Sequence, residues 1–284
     1  QLTALDPKTG KILWATPRAT SLLPAQDRMA LGSAGFLPDS RPFLDYEILP
    51  IPVDDGIVLV RRDGSAVKVD GTDGRTTRWT RSGLLDRVYG VERANGLLHL
   101  YGASAAPNGG STGGVVSIDP VTGGTVFEAD VPGGDVRWLA ADDVGRLAVG
   151  TTRSVTMLDP VEGILNASRR WTRSDARLLG VSLGRFEDDR LVVFDDRGIP
   201  LVFNSELGAI DQERWRLPSN PDWIPGGPAR IFADGDWRYL LYRDRVLLYD
   251  ASGRFLGADR IADSNRTDWS ALPASEGLRL ISQR

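Results

Sequence analysis

Two interleaved sets of six turns, nearly all marked by glycine, punctuate this chain from end to end, and their spacing leaves little choice of architecture. The first set is Thr9-Gly10, Asp73-Gly74, Thr122-Gly123, Glu162-Gly163, Leu207-Gly208 and Ser252-Gly253. The second is Asp55-Gly56, Asn95-Gly96, Asp142 to Gly145, Asp188-Asp189, Asp234-Gly235 and Glu276-Gly277. Nearly every turn lies between two short runs of apolar, β-branched residues, which is the signature of a β-hairpin. Two hairpins per unit, six times over, describe four-stranded antiparallel blades set around an axis: an all-β, six-bladed β-propeller.

The marker glycines 10, 74, 123, 163, 208 and 253 are separated by 64, 49, 40, 45 and 45 residues, against ~40–50 for one four-stranded blade. The longest gap is a blade plus an insertion, placed between Pro17 and Pro42. The stretches after Gly253 and up to Gly10 together make 41 residues, again one blade. The N-terminal strands, Leu2 to Asp6 and Lys11 to Ala15, are therefore expected to complete a C-terminal blade begun by Asp268 to Ser282. Such closure removes free sheet edges and makes residues 1–284 one domain. A fragment of a longer propeller is the alternative. In blade 3 the strands read Arg87 to Glu92, Leu97 to Tyr101, Gly114 to Asp119 and Thr125 to Ala129, with Gly102 to Gly113 a flexible surface loop. Ser21 to Met29 is the one helical candidate.

The clearest repeat is Ala4-Leu-Asp6-Pro-Lys-Thr9-Gly10-Lys11-Ile-Leu-Trp14. A degenerate copy, Ser117-Ile-Asp119-Pro-Val-Thr122-Gly123-Gly-Thr-Val-Phe127, carries an aromatic in register with Trp14, whereas Trp79 lies one residue off register. Partial copies follow Asp70, Asp159 and Asp250, and Asn204 replaces the aspartate in a further one. The pattern resembles the PQQ-like, tryptophan-docking β-propeller repeat of quinoprotein dehydrogenases and of the outer-membrane assembly lipoprotein with the same fold. That family holds both enzymes and non-enzymatic scaffolds, so the resemblance implies a fold and leaves activity open.

Composition narrows the function. The net charge is −4 and the Lys and Arg are scattered, which argues against nucleic acid. No apolar run approaches the ~20 residues of a membrane span. The absence of cysteine removes disulfides, thiol catalysis and thiolate metal sites. The chain starts at Gln1 without a signal peptide and reads as a processed form, of the periplasm or extracellular space rather than the cytoplasm.

One arginine pattern recurs where the first strands of four blades begin: Arg87-Val-Tyr-Gly90, Arg137-Trp-Leu-Ala140, Arg177-Leu-Leu-Gly180 and Arg230-Ile-Phe-Ala233. Asp86, Asp135 and Asp175 precede three of them, and Asp45 and Asp268 hold the matching places in the other two blades. First strands line a propeller's axis, so the arginines are expected to form a partial ring at one channel mouth. The insertion 17–42 and the loop 102–113 are expected on that same face. A planar guanidinium suits carboxylate or phosphate. The competing reading is that each arginine pairs with a neighbouring blade's aspartate and only locks the ring.

Other candidates have plainer readings. Asp54-Asp55, Asp142-Asp143 and Asp188-Asp189 fall at one hairpin turn of successive blades, where Asp is a good turn former, and Asp195-Asp196 adds a fourth pair. A calcium site would need a denser ligand loop. His99, the only histidine, alternates within Leu97 to Tyr101 and reads as a hydrogen-bonded structural residue rather than a general base. The lysines are Lys8, Lys11 and Lys68 alone. Trp171 and Trp215 are expected to pack between blades from outer strands, and Trp223, between Pro221 and Pro225, to offer a surface aromatic for binding.

No catalytic constellation, metal or cofactor is expected. The leading reading is a monomeric, non-catalytic propeller that binds a protein or peptide partner, acidic ones included, at the mouth bearing Arg87, Arg137, Arg177, Arg230, Asp45, Asp268 and Trp223. The alternatives are a quinoprotein-type dehydrogenase using pyrroloquinoline quinone and calcium, which the resemblance implies, and a carbohydrate-binding propeller, for which the tryptophans are stacking platforms.

Overall fold

The computed structural model describes residues 3–5, 9, 11–15, 40–42, 48–105, 110–160, 164–174, 178, 183–195, 199–211, 214–218, 230–242, 244–261, 269–274 and 277–282. Alternating apolar residues between turn formers produce strands throughout, and no α-helix occurs among the described residues. The helical candidate Ser21 to Met29 lies outside them. The chain divides into two compact units, residues 1–172 and 173–284.

In the first unit a hairpin, β1 (Thr3–Leu5) and β2 (Ile12–Ala15), precedes β3 (Ser40–Pro42). Three sheets follow. One is β4 (Ile48–Val53), β5 (Gly56–Arg61), β6 (Ala66–Asp70) and β7 (Thr77–Arg81). The next is β8 (Arg87–Ala94), β9 (Leu97–Ala105), β10 (Ser111–Ile118) and β11 (Thr125–Val131). The third is β12 (Trp138–Ala141), β13 (Leu147–Gly150), β14 (Ser154–Asp159) and β15 (Ser168–Ser174), whose last residues cross the unit boundary. The second unit holds β16 (Leu183–Glu187), β17 (Arg190–Phe194), β18 (Pro200–Asn204) and β19 (Ile210–Asp211) in one sheet. β20 (Arg230–Asp234), β21 (Trp237–Leu241), β22 (Arg245–Asp250) and β23 (Phe255–Arg260) form another, and β24 (Trp269–Ala274) and β25 (Gly277–Ser282) a final hairpin. Each four-stranded set is a meander in sequence order, consistent with propeller-type blades.

The repeated aspartate and glycine build the turn between third and fourth strands. Asp70, Asp119 and Asn204 each accept, through Oδ1, the backbone N–H two residues on, at 2.7, 2.8 and 3.0 Å. Gly74, Gly123, Gly208 and Gly253 donate their N–H to the carbonyls of Asp70, Asp119, Asn204 and Asp250 at 2.8–2.9 Å. All four glycines sit at φ between 64 and 80°, where a side chain costs ~1–2 kcal/mol. A register shift follows at Lys68/Val69, Ser117/Ile118 and Leu248/Tyr249, as a bulge beside a tight turn produces.

This turn corrects the expected misalignment of Trp79. Trp79 stands opposite Lys68, as Phe127 stands opposite Ser117 and Trp14 opposite Ala4. Each partner is two residues before the repeat's aspartate. The extra residue is absorbed inside the turn: Asp70 N–H closes on the Thr76 carbonyl, whereas Asp119 N–H closes on Gly124. From that position Trp79 docks on the next sheet. Its Nε1 donates to the Pro120 carbonyl at 3.1 Å, and Arg81 Nε donates to the Gly123 carbonyl at 2.6 Å. In the second unit Trp215 meets the turn of β22–β23 differently, its backbone N–H reaching the Gly253 carbonyl at 2.8 Å and its ring stacking on Tyr249 at 5.2 Å. Trp171 lies on the outer strand β15 as expected and is buried, whereas Trp215 follows β19 rather than lying on it.

The middle strands bury both faces. Leu98, Leu100, Val116 and Ile118 pack on Val58 and Val60 of the preceding sheet, while Tyr101, Val115 and Phe127 pack on Leu139, Leu147 and Val149 of the following one. Val192, Phe194 and Val202 likewise meet Leu240 and Leu247. The core therefore lies between sheets stacked face to face, where burial contributes ~1.5–3 kcal/mol per large aliphatic side chain.

One expectation about loops changes. Gly102 to Gly113 is largely strand: Ser111 pairs with Ala105 and Gly114 with Gly102, leaving only 106–109 outside the description. The small residues that read as a flexible loop are small because the sheet is crowded there. A Cβ on Gly102 would fall on the Arg87 carbonyl oxygen. The insertion's last residues, β3, add a fifth strand to β8, with Ser40 opposite Glu92 and Pro42 opposite Gly90. The chain thus enters β3 at the end of β8 remote from Arg87, and residues 17–39 of the insertion lie outside the described residues. The physical reason is that the free edge of a first strand, on the side away from its second strand, presents unpaired N–H and C=O groups, which an extended segment satisfies.

Gly123 and Gly96 separate docking from backbone strain. Both have φ near 70°, but a Cβ at Gly123 would lie 2.6 Å from the Trp79 ring, whereas one at Gly96 meets nothing within 4 Å. Gly96→Ala is expected to cost ~1–2 kcal/mol and Gly123→Ala a further ~1–3 kcal/mol, read by urea unfolding. Equal costs would show that the ring contact contributes nothing.

Candidate functional site

Arg87 opens β8 and Arg137 immediately precedes β12, so neighbouring sheets present two guanidiniums from equivalent strand starts. Between them stands Tyr89. The Arg137 guanidinium lies 4.8 Å from its ring centroid and that of Arg87 5.6 Å. The Tyr89 hydroxyl donates to Asp135 Oδ2 at 2.8 Å, and Ser111 Oγ donates to Asp135 Oδ1 at 3.0 Å. Burial, then the Asp135 carboxylate, raises the Tyr89 pKa, so the phenol stays a protonated donor. Both Asp135 oxygens are thus engaged by hydroxyls. Arg137 Nη2 approaches this carboxylate only to 3.7 Å, with the arginine side chain 46 % exposed.

This arrangement differs from the inter-blade ion pairs weighed above. Arg137 pairs loosely with the aspartate of its own strand entry, and the link between sheets is made by Tyr89. Arg87 is exposed and makes no ion pair among the described residues. Exposed cation–π contacts contribute ~0.5–1 kcal/mol and exposed ion pairs ~0–1 kcal/mol, so the cluster adds little stability while holding two guanidinium edges toward solvent. The paired strands β9 and β10 reach this end of the sheet: Ala103 is opposite Arg87, and Ser111 supplies one Asp135 contact.

Arg230 opens β20, and only its backbone is described. Arg177, Asp45, Asp268 and Trp223 lie outside the described residues. Tyr89 and Ser111 were missed in the sequence. The signal for Tyr89 was present: it is the only hydroxyl at the third place of the four arginine motifs, where the others carry Leu, Leu and Phe.

The paired acids serve their turns. Asp142 Oδ1 accepts the Val144 and Arg146 N–H groups, and Arg146 Nε donates to its Oδ2 at 2.5 Å. Asp188 takes φ 52° in a hairpin turn, and Asp195 Oδ1 accepts the Ile199 N–H. Asp55 caps the buried Lys68 ammonium at 2.6 Å, an interaction that lowers the Asp55 pKa. Glu187 and Arg238 form an ion pair at 2.5 Å, nearly buried, that ties β16 to β21. No group of three or more His, Asp or Glu able to hold a metal comes together among the described residues.

His99 is buried, with Nδ1 2.6 Å from Ser117 Oγ and its ring tilted against Phe127. Among the described residues its side-chain hydrogen-bond partner is this hydroxyl, not a carboxylate, so the structural reading is the one the geometry supports. No protein-family model matches the chain, and no curated protein is significantly similar to it.

Burial pushes the His99 pKa down from 6.5 to about 4, against a smaller opposing pull from the Ala94 backbone. The folded chain therefore excludes a proton that the unfolded chain binds below about pH 6.5. Stability is expected to be full above pH 6.5 and to fall by ~1.4 kcal/mol per unit down to about pH 4. His99→Gln should flatten melting temperature between pH 7 and 5. A wild-type profile already flat there would contradict the burial effect.

Proposed function

We propose that the chain is a six-bladed β-propeller of the PQQ-like repeat type, one domain over residues 1–284, that holds a protein or peptide partner without catalysis. The partner's acidic segment is received at the sheet end carrying Arg87 and Arg137. Five four-stranded meanders, plus one hairpin at each end of the described chain, support the blade count; on this reading the two hairpins together make the sixth blade. The observation that carries the binding reading is the Arg87–Tyr89–Arg137 stack: two exposed cations, with the nearest carboxylate already engaged by two hydroxyls. Guanidinium edges left open in this way suit carboxylates of an extended acidic peptide.

A fluorescein-labelled octaglutamate is expected to bind saturably by anisotropy, at least tenfold weaker to Arg87→Ala/Arg137→Ala, a loss of ~1.4 kcal/mol or more. The double variant's melting temperature should stay within ~2 °C of wild type, since exposed pairs contribute little. Unchanged binding, or a large drop in melting temperature, would make the arginines structural. For closure, removal of residues 1–16 should lower the melting temperature by ~5–10 °C, the equivalent of ~3 kcal/mol in a chain of this size. An unaltered transition would refute the shared blade.

A further inference from the structure

Among the described residues, the outer strand of the sheet β16–β19 is short. β19 spans two residues, where β7, β11, β15 and β23 span five to seven. The chain then peels away and gives its backbone to the next sheet: Trp215 N–H bonds the Gly253 carbonyl, and the Arg216 carbonyl accepts the Tyr249 hydroxyl at 3.2 Å. Trp215 is held at φ 57°, a strained backbone for a bulky residue, and is buried. The departure leaves a cleft of about 270 Å3 between the start of β18 and residues 214–217.

Its chemistry is two-sided. Leu201, Ile210 and Leu217 wall it, Trp215 lines it, and Arg214 and Arg216 stand at its lip. Asp211 is shared between Arg190 and Arg214, each at 3.6 Å. Arg216 is exposed and makes no ion pair among the described residues. An added peptide strand does not suit the place. Asn204 and Val202 face the outer strand, so by alternation Pro200 presents the next outward ladder position, and proline has no N–H to offer. At ~30 Å3 per water the cleft has room for about nine water-sized groups.

We propose that this cleft binds a small organic monocarboxylate with an apolar body, its carboxylate on Arg216 and its body against the aliphatic wall of Leu201, Ile210 and Leu217. The site is independent of the Arg87–Arg137 cluster.

The test uses 4-phenylbutyrate and its uncharged amide, titrated into the full chain and followed by amide chemical shifts. The acid should move the Trp215 and Leu217 resonances saturably, and the amide should not. Arg216→Ala, an exposed substitution, should weaken the acid about tenfold, Leu217→Trp should fill the cleft and abolish binding, and Arg137→Ala should bind as wild type. Absence of saturable shifts with the acid, equal binding of acid and amide, wild-type affinity in Arg216→Ala, or loss of binding in Arg137→Ala would each overturn the proposal.

Discussion

The contact on which the described sheets depend is an aromatic ring laid on the capped turn of the next sheet. The turn is rigid because an aspartate or asparagine side chain holds its first N–H and a left-handed glycine closes it. The absence of a Cβ on that glycine opens the surface on which Trp79 lies over Gly123, and Trp215 over Gly253. One short motif thus does two things: it ends one strand pair and offers a seat to its neighbour. The hydrogen bonds from Trp79 and Arg81 then fix the ring's position, since a buried donor left unpaired is costly.

Charges sort around this frame by burial. Lys68 and the Glu187–Arg238 pair are inside or nearly so and have close partners. Removing one partner of such a pair leaves an uncompensated charge, so these residues belong to the fold. Arg87 and Arg137 are the opposite case, exposed, with loose electrostatic contacts and an aromatic ring to orient them. The same reasoning separates Asp142, consumed by its own turn, from Asp135, whose two oxygens bridge neighbouring sheets through hydroxyls.

Much of the strand order was legible in the sequence because hairpin signals are local. Asn95-Gly96 adopts positive φ at both residues, as that dipeptide in a two-residue turn requires. Reading failed where composition stood in for packing. Gly102 to Gly113 resembles a loop by its small residues, yet those residues are small because strands close on each other there. Trp79 looked misaligned because a count along the chain cannot see a turn one residue longer.

The amino-acid sequence by itself determined the turns, the strands and the capping residue of each repeat, since these depend on φ preferences and hydrogen bonds spanning a few residues. It also marked the arginines at the strand starts. Only the tertiary structure decided that Tyr89 stands between Arg87 and Arg137 and bonds Asp135, 46 residues away. It alone showed that the chain after Asp211 leaves its own sheet for Gly253. Such contacts join residues a whole sheet apart, and no local preference encodes which of two equally apolar faces will meet.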